Sequence, residues 1–312
     1  MTQNGAVLQI VNPLDGRASM RDDSAEPLES HDVPRGSAAD EPASWRSGRG
    51  SIVARSIGGR TVLATARAET PLRLVRPTFP GTTAAAVCLV TFGGGLVNGD
   101  EVELDVTVEA GATLIVFTQS STKVFRGAAR QALRAKVEGT LVLLPDPVAA
   151  FASARFTQRI DIELTADGAC VSMDGFTSGR AAFGERWAMS ALDLRTNVSH
   201  DGRAIVSDAL NLNASDGAIV ARCGNFDAFA TLIAVGRRAE PIVRSILGDA
   251  LALPSNELLV ATSTLTRAEE AGLPGAIARI AASSPAVALS AVRSRLQKLH
   301  EIDAVDTFAA RF

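Results

Sequence analysis

Two carboxylates and an arginine set among glycines are the residues whose types and spacing could first do chemistry. The stretch GFTSGRAAFGERW, Gly175–Trp187, is preceded by Asp174, contains Glu185, and carries Arg180 between Gly179 and Gly184. Three readings stand side by side. Two carboxylates in one cleft can exchange protons as acid and base when the surroundings raise one pKa. A guanidinium can instead grip a carboxylate through two parallel hydrogen bonds and lock a tight turn, with the glycines supplying backbone angles that other residues avoid. Hard oxygen ligands can also hold a divalent ion weakly and in passing.

Two other stretches invite chemistry. In TQSSTKVFRG, Thr118–Gly127, Ser120 or Ser121 would be a nucleophile if Lys123 were a desolvated base. Nothing resembling an oxyanion hole accompanies them, and a polar loop that bonds backbone or a partner is the better reading. In GGGLVNGDEVELD the glycines could cradle an anion, but the Lys-Ser/Thr of a phosphate loop is missing and a strand follows where a helix would be needed. Gly93, Gly94 and Gly95 then mark a bulge or close backbone approach. Asn98-Gly99 forms a turn, and Asp100 and Glu101 open a strand with an acidic outer face.

Cys88, Cys170 and Cys223 lie far apart in apolar settings, which suits small buried hydrophobes rather than disulfides or a zinc site. His31, His200 and His300 are equally scattered, so no His-based metal or nucleophile motif can be read from spacing. His200 is expected in an exposed turn, SHDG.

The elements that must position these residues read mostly as strands. Residues 1–50 are expected to be a poorly ordered extension, rich in Asp, Glu, Ser, Pro, Gly and Ala and unable to bury enough apolar area to order itself. Residues 51–312 read as a single β-rich domain. SIVARSIGGRTVLATARAE suggests a hairpin turning at Gly58-Gly59, PLRLVRP a strand between prolines, and AAAVCLVTF a strand covered on both faces. Val102, Leu104, Val106 and Val108 alternate with polar residues, the period that puts one strand face inward. Turns at Ala110-Gly111, Glu138-Gly139 and Asp167-Gly168 separate further strands, and Asp201-Gly202 tips another hairpin. NFDAFATLIAVG reads as a buried strand, NELLVATSTLT as a strand and GAIARIAASS as a strand rather than a helix. Helices enter late: EPIVRSILGDAL, with Ile242, Val243, Ile246, Leu247 and Ala250 on one face, and PAVALSAVRSRLQKLHE. No βαβ alternation and no repeat of fixed length is visible. The expected class is mainly β, in layered antiparallel sheets with a few helices towards the C-terminus.

Charge is nearly balanced, 31 Lys+Arg against 34 Asp+Glu and scattered, so neither nucleic acid nor an anionic membrane is indicated as a partner. No signal-peptide pattern opens the chain and no apolar run is long enough to span a bilayer, so a soluble, cytoplasmic protein is expected.

Five segments, PLRLVRP, LVTFGGGLVNGDEVELDV, FTQSSTKVFRG, LLPDPVAAFASARFTQ and MDGFTSGRAAFGERW, together and in this order resemble the urease accessory protein family UreD, called UreH in some bacteria. LPDP, FTSGR and GE are similar to the plant and fungal versions. The resemblance implies a β-helix-like pair of layered sheets and a non-catalytic role. Family members bind apo-urease, recruit UreF and the GTPase UreG, and help to conduct Ni²⁺ to the urease active site. No tightly bound cofactor is implied, only nickel in transit. By position in the matching motifs, Asp100, Glu101, Asp174 and Glu185 are candidates for lining the nickel path. Arg180, Gly179 and Gly184 would shape a turn, and Gln119, Thr122 and Lys123 a wall or interface. Phe125 stands where the family often carries tyrosine. The rival function is a β-rich hydrolase or glycosidase using Asp174 and Glu185, and a further rival a carbohydrate- or protein-binding β module.

Overall fold

A computed structural model of the chain describes residues 46–248 and 255–308. Residues 1–45, almost all of the expected extension, lie outside the described residues, as does Ala250. The chain runs β1 (Arg46–Ile57), β2 (Arg60–Ala68), β3 (Leu72–Val75), β4 (Ala85–Thr91), β5 (Asp100–Val108), β6 (Thr113–Thr118), β7 (Lys123–Val124), β8 (Gly127–Val137), β9 (Thr140–Leu144), β10 (Val148–Ala150), β11 (Ala154–Leu164) and β12 (Ala169–Thr177). It continues with β13 (Ala191–His200), β14 (Arg203–Asn213), α1 (Ile219–Cys223), β15 (Ala228–Val235), α2 (Glu240–Gly248), β16 (Leu258–Thr264), α3 (Thr266–Glu270), β17 (Gly275–Ala282) and α4 (Pro285–Arg295).

These strands form two layers. The first sheet has the order β14-β13-β11-β8-β5-β1-β2, and the second β16-β17-β15-β12-β9-β6-β4-β3, with β7 and β10 attached beside β12. The mainly-β expectation and the late helices hold. Antiparallel pairing holds only at the flanks, in β1–β2, β13–β14, β3–β4 and β12–β15–β17–β16. The middle is parallel: β1, β5, β8, β11 and β13 in one sheet, β4, β6, β9 and β12 in the other. The turns at Ala110-Gly111, Glu138-Gly139 and Asp167-Gly168 carry the chain from the first sheet to the second instead of folding it back on itself. The next strand of each sheet therefore arrives in the same direction. Ala85 lies beside Leu114, Thr113 beside Thr140 and Thr140 beside Ala169, one coil after another of a flattened β-helix. The coil repeats in backbone and not in side-chain identity, which is why no period shows in the sequence.

Burial explains the strand sequences. Val102, Leu104, Val106 and Val108 of β5 face Leu114, Val116, Leu141 and Leu143 across the interlayer core. The other face of the second sheet, including Ile115, Phe117, Val142 and Leu144, packs under α2 and α4 through Ile242, Ile246, Ala288 and Val292. Strands covered on both sides must be apolar on both faces, as the stretches LIVF and LVLL inside TLIVFT and TLVLL are. The first sheet meets solvent on its outer face, where Glu103 pairs with Arg49 and Arg134. Leu247, expected on the buried face of α2, is exposed.

The corners leave no room for side chains. A Cβ on Gly168 would lie 2.1 Å from the carbonyl oxygen of Val137, whereas one on Gly202, at a positive φ of 75°, would meet nothing within 4 Å. Gly168→Ala is therefore expected to cost about 2–4 kcal/mol by forcing the corner apart, and Gly202→Ala only about 1 kcal/mol of backbone strain. Thermal or urea unfolding of the two variants measures the difference.

Candidate functional site

Asp174 lies on the inward face of β12 with Cys170, Ser172 and Phe176, where alternation points side chains at the first sheet. Its Oδ1 accepts hydrogen bonds from Gln158 Nε2 at 2.8 Å and from the Gly175 N–H at 2.8 Å, and its Oδ2 accepts one from the Thr196 hydroxyl at 3.3 Å. Gln158 on β11 and Thr196 on β13 come from the facing sheet, each 3% exposed. Around Asp174 is a small cavity of about 40 Å³, also lined by Thr196, Asp208 and Thr231. Burial pushes the Asp174 carboxyl up to about 6, the three hydrogen bonds oppose that, and the Asp208 charge adds to it.

Gln158 stands beside Gln131 of β8 in register. Gln131 lines a second cavity of about 70 Å³ with Thr118, Gln119, Ser120, Ser121 and Thr122. Inward polar side chains on neighbouring strands, Gln131, Gln158 and Thr196, thus stand between the cavity at the Thr118–Thr122 loop and the one at Asp174 and Asp208, in an otherwise apolar layer.

Glu185 is placed differently. In the loop joining β12 to β13, Arg180 donates from Nε to Glu185 Oε2 at 2.9 Å, and a second guanidinium N–H donates to Oε1. Glu185 also accepts the Ala152 N–H at 3.3 Å, and the guanidinium lies 4.5 Å over the Phe151 ring. Gly179 and Gly184 have φ of 84° and 76°, and a Cβ on Gly179 would come within 2.6 Å of the Ala150 carbonyl oxygen. This is the fork-locked turn among the three readings. The Arg180 hydrogen bond holds the Glu185 carboxyl below the usual carboxylate range. Asp174 and Glu185 line different cavities and share no hydrogen-bond partner among the described residues. The acid–base pairing that a glycosidase needs is not assembled.

Asp100 is buried and does not join the acidic outer face, because its Oδ2 turns back to accept the Val97 N–H at 2.8 Å and pins the glycine-rich turn. Glu101 does lie on that outer face, beside Arg130 of β8. The four candidate carboxylates are thus dispersed. Among the described residues no group of three or more His, Cys, Asp or Glu side chains is arranged to hold a metal ion.

Gln119 and Thr122 line the larger cavity, and the Thr122 carbonyl accepts the Ala149 N–H at 2.9 Å. Lys123 is exposed on β7, so it lacks the desolvated setting of a base, and its carbonyl accepts the Leu96 N–H at 2.8 Å. Phe125 meets Phe151 edge-on at 5.3 Å. The three cysteines are free and buried, and burial pushes the Cys170 thiol up to about 12. His200 closes β13 instead of lying in the turn; its side chain is largely covered, with Nε2 3.1 Å from the Ala166 carbonyl oxygen.

Gln158, Thr196 and Gln131 escaped the sequence reading, although a signal was there. Gln158 falls on the same inward parity as Phe156, Ile160 and Ile162, and Thr196 on that of Leu192, Leu194 and Val198.

The fold and site together define a helix-covered, coiled two-sheet β protein with a polar seam between its layers. The family model described as UreD urease accessory protein matches residues 46–306, and the chain belongs to that family. It is 42% identical over 243 residues to the urease accessory protein UreD of Sorangium cellulosum, covering 77% of this chain and 76% of that protein. It is 34% identical over 273 residues to that of Anaeromyxobacter sp., covering 85% and 89%. To the urease accessory protein D of Arabidopsis thaliana it is 30% identical over 226 residues, covering 69% and 77%. No helix among the described residues is long and apolar enough to cross a membrane.

The raised Asp174 pKa carries a pH signature. Folded Asp174 binds its proton more tightly than in the unfolded chain, where the value is about 4, so stability declines as pH rises from there through about 6. Asp174→Asn removes the buried charge. The variant's stability relative to the parent is expected to rise across that window, by up to about 3 kcal/mol between acid and neutral pH, as read from urea midpoints at a series of pH values.

Proposed function

We propose that this chain is a non-catalytic scaffold of urease maturation in the cytoplasm. It binds apo-urease and UreF, engages the GTPase UreG through the complex, and passes Ni²⁺ towards the urease metal site along the polar tract between its sheets. Family membership over residues 46–306 supports the maturation role and is the observation that carries it. The tract supports the passage. A divalent ion loses its hydration shell at great cost in an apolar layer, and amide, hydroxyl and carboxylate oxygens are the hard groups that substitute for water. Asp174 supplies one carboxylate, and Gln158, Gln131, Thr196 and Thr118 neutral groups. Such a set holds Ni²⁺ loosely enough to release it, whereas thiolates and imidazoles would trap it. Nickel is cargo in this scheme.

In this reading the four candidate carboxylates divide by what holds them. Asp174 faces the tract, Asp100 and Glu185 hold turns, and Glu101 stays outside it on the first sheet. The hydrolase reading loses its acid–base pair.

The test is urease activation under limiting nickel, with apo-urease, UreF and UreG supplied. Omitting this chain is expected to abolish activation. Asp174→Asn should lower it several-fold with recovery at high nickel, and Glu185→Gln should leave its nickel dependence unchanged. Parent-like activation by Asp174→Asn at every nickel level would remove the tract from the mechanism.

A further inference from the structure

Asp208 lines the same cavity as Asp174, from β14, and its carboxylate accepts a hydrogen bond from the Arg279 guanidinium at 2.7 Å. Arg279 lies on β17 directly beside Thr231 of β15, which itself pairs with Asp174 of β12. On the first sheet Thr196 pairs with Asp208. Two facing rows, Asp174–Thr231–Arg279 and Thr196–Asp208, thus close on each other through the ion pair. Apart from these three charged groups, the polar side chains here are neutral: Gln158, Thr196 and Thr231. One more oxygen is unassigned. Ser172 shares the inward face of β12 two residues before Asp174, is 1% exposed, and has no hydrogen-bond partner for its hydroxyl.

We propose that Arg279 sets the divalent-cation affinity of this cavity, by occupying Asp208 so that Asp174 is the one carboxylate open to an arriving ion. The inference rests on reading Asp174 as a point on the nickel path. With Arg279 in place, Asp174, Asp208 and the guanidinium sum to a single negative charge when both acids are ionised; without it the cavity carries two. A dication bound between two carboxylates and hydroxyl oxygens is held far more firmly than one bound to a single carboxylate facing a nearby guanidinium. Arg279 therefore keeps the site one of passage. It is a positioning residue, acting through Asp208 without touching the ion. Because its side chain is 58% exposed, solvent screens the charge, and the expected effect of removing it is roughly tenfold in affinity.

The experiment is equilibrium dialysis of the full-length chain against Ni²⁺ alone near neutral pH. Arg279→Gln is expected to bind nickel roughly tenfold more tightly than the parent, Arg279→Lys to stay close to the parent because it keeps the charge, and Asp208→Asn added to Arg279→Gln to abolish the gain. A purely structural arginine would give no gain. Unchanged or weaker binding by a folded Arg279→Gln overturns the proposal. Should that variant not fold, Asp208→Asn alone decides, since it frees the guanidinium near Asp174 and must weaken nickel binding; parent-like or tighter binding overturns it. Asp174→Asn, alone and with Arg279→Gln, separates the two ideas. Intact nickel binding in both removes the path and the gate together, whereas loss of binding through Asp174→Asn with no gain from Arg279→Gln removes the gate alone.

Discussion

The close approach of successive corners is the constraint on which the rest of this protein depends. The Thr140 N–H donates to the Ala112 carbonyl, and the Ala169 N–H to the Gly139 carbonyl, so each crossing from first to second sheet is hydrogen-bonded to the crossing before it. Gly139 and Gly168 admit these contacts because nothing larger fits there. Once the corners stack, strand direction, register and the facing of the two layers follow. A one-residue slip would turn every inward side chain of a strand outward, and the contrast between apolar interlayer and charged outer face in β5 and β8 forbids it.

That same register places the polar seam. Gln131 and Gln158 are partners on neighbouring parallel strands, so two inward amides stand side by side in register, and Asp174 receives donors from two strands of the opposite sheet. A buried polar group is tolerable only when its hydrogen bonds are made, and those to Asp174 come from rigid strands already fixed by the coil. Even so, burial keeps its carboxyl near 6. The layer carries an ionisable group that a purely structural core would replace with leucine, a local conflict of the kind that marks function.

Much of the fold was legible because its rules are local. The Gly58-Gly59 and Asp201-Gly202 hairpins, the alternation of β5 and the buried face of α2 around Ile242 and Ile246 all follow from neighbours in sequence. Parallel pairing was not legible, since a corner such as Asp167-Gly168 needs the same tight backbone whether the chain returns to its own sheet or crosses to the other. The site divides along the same line. The grip of Arg180 on Glu185 spans five residues and could be weighed from GFTSGRAAFGERW alone. The partners of Asp174 lie 16 and 22 residues away on another sheet, and only the coil brings them to it.

The two acidic groups of that one motif therefore end in opposite states for a physical reason. Glu185 sits in a loop where a guanidinium can reach it from the same turn, so it is ionised and occupied. Asp174, on a strand buried between layers, meets only neutral donors directly, and Arg279 is spent on Asp208, which lines the same cavity. A carboxylate fully neutralised by arginine has little left to offer a passing dication, and one in bare hydrocarbon would stay protonated. Asp174 lies between those limits: solvated by amide and hydroxyl groups, it loses its proton just below neutrality and keeps its charge available to a passing ion.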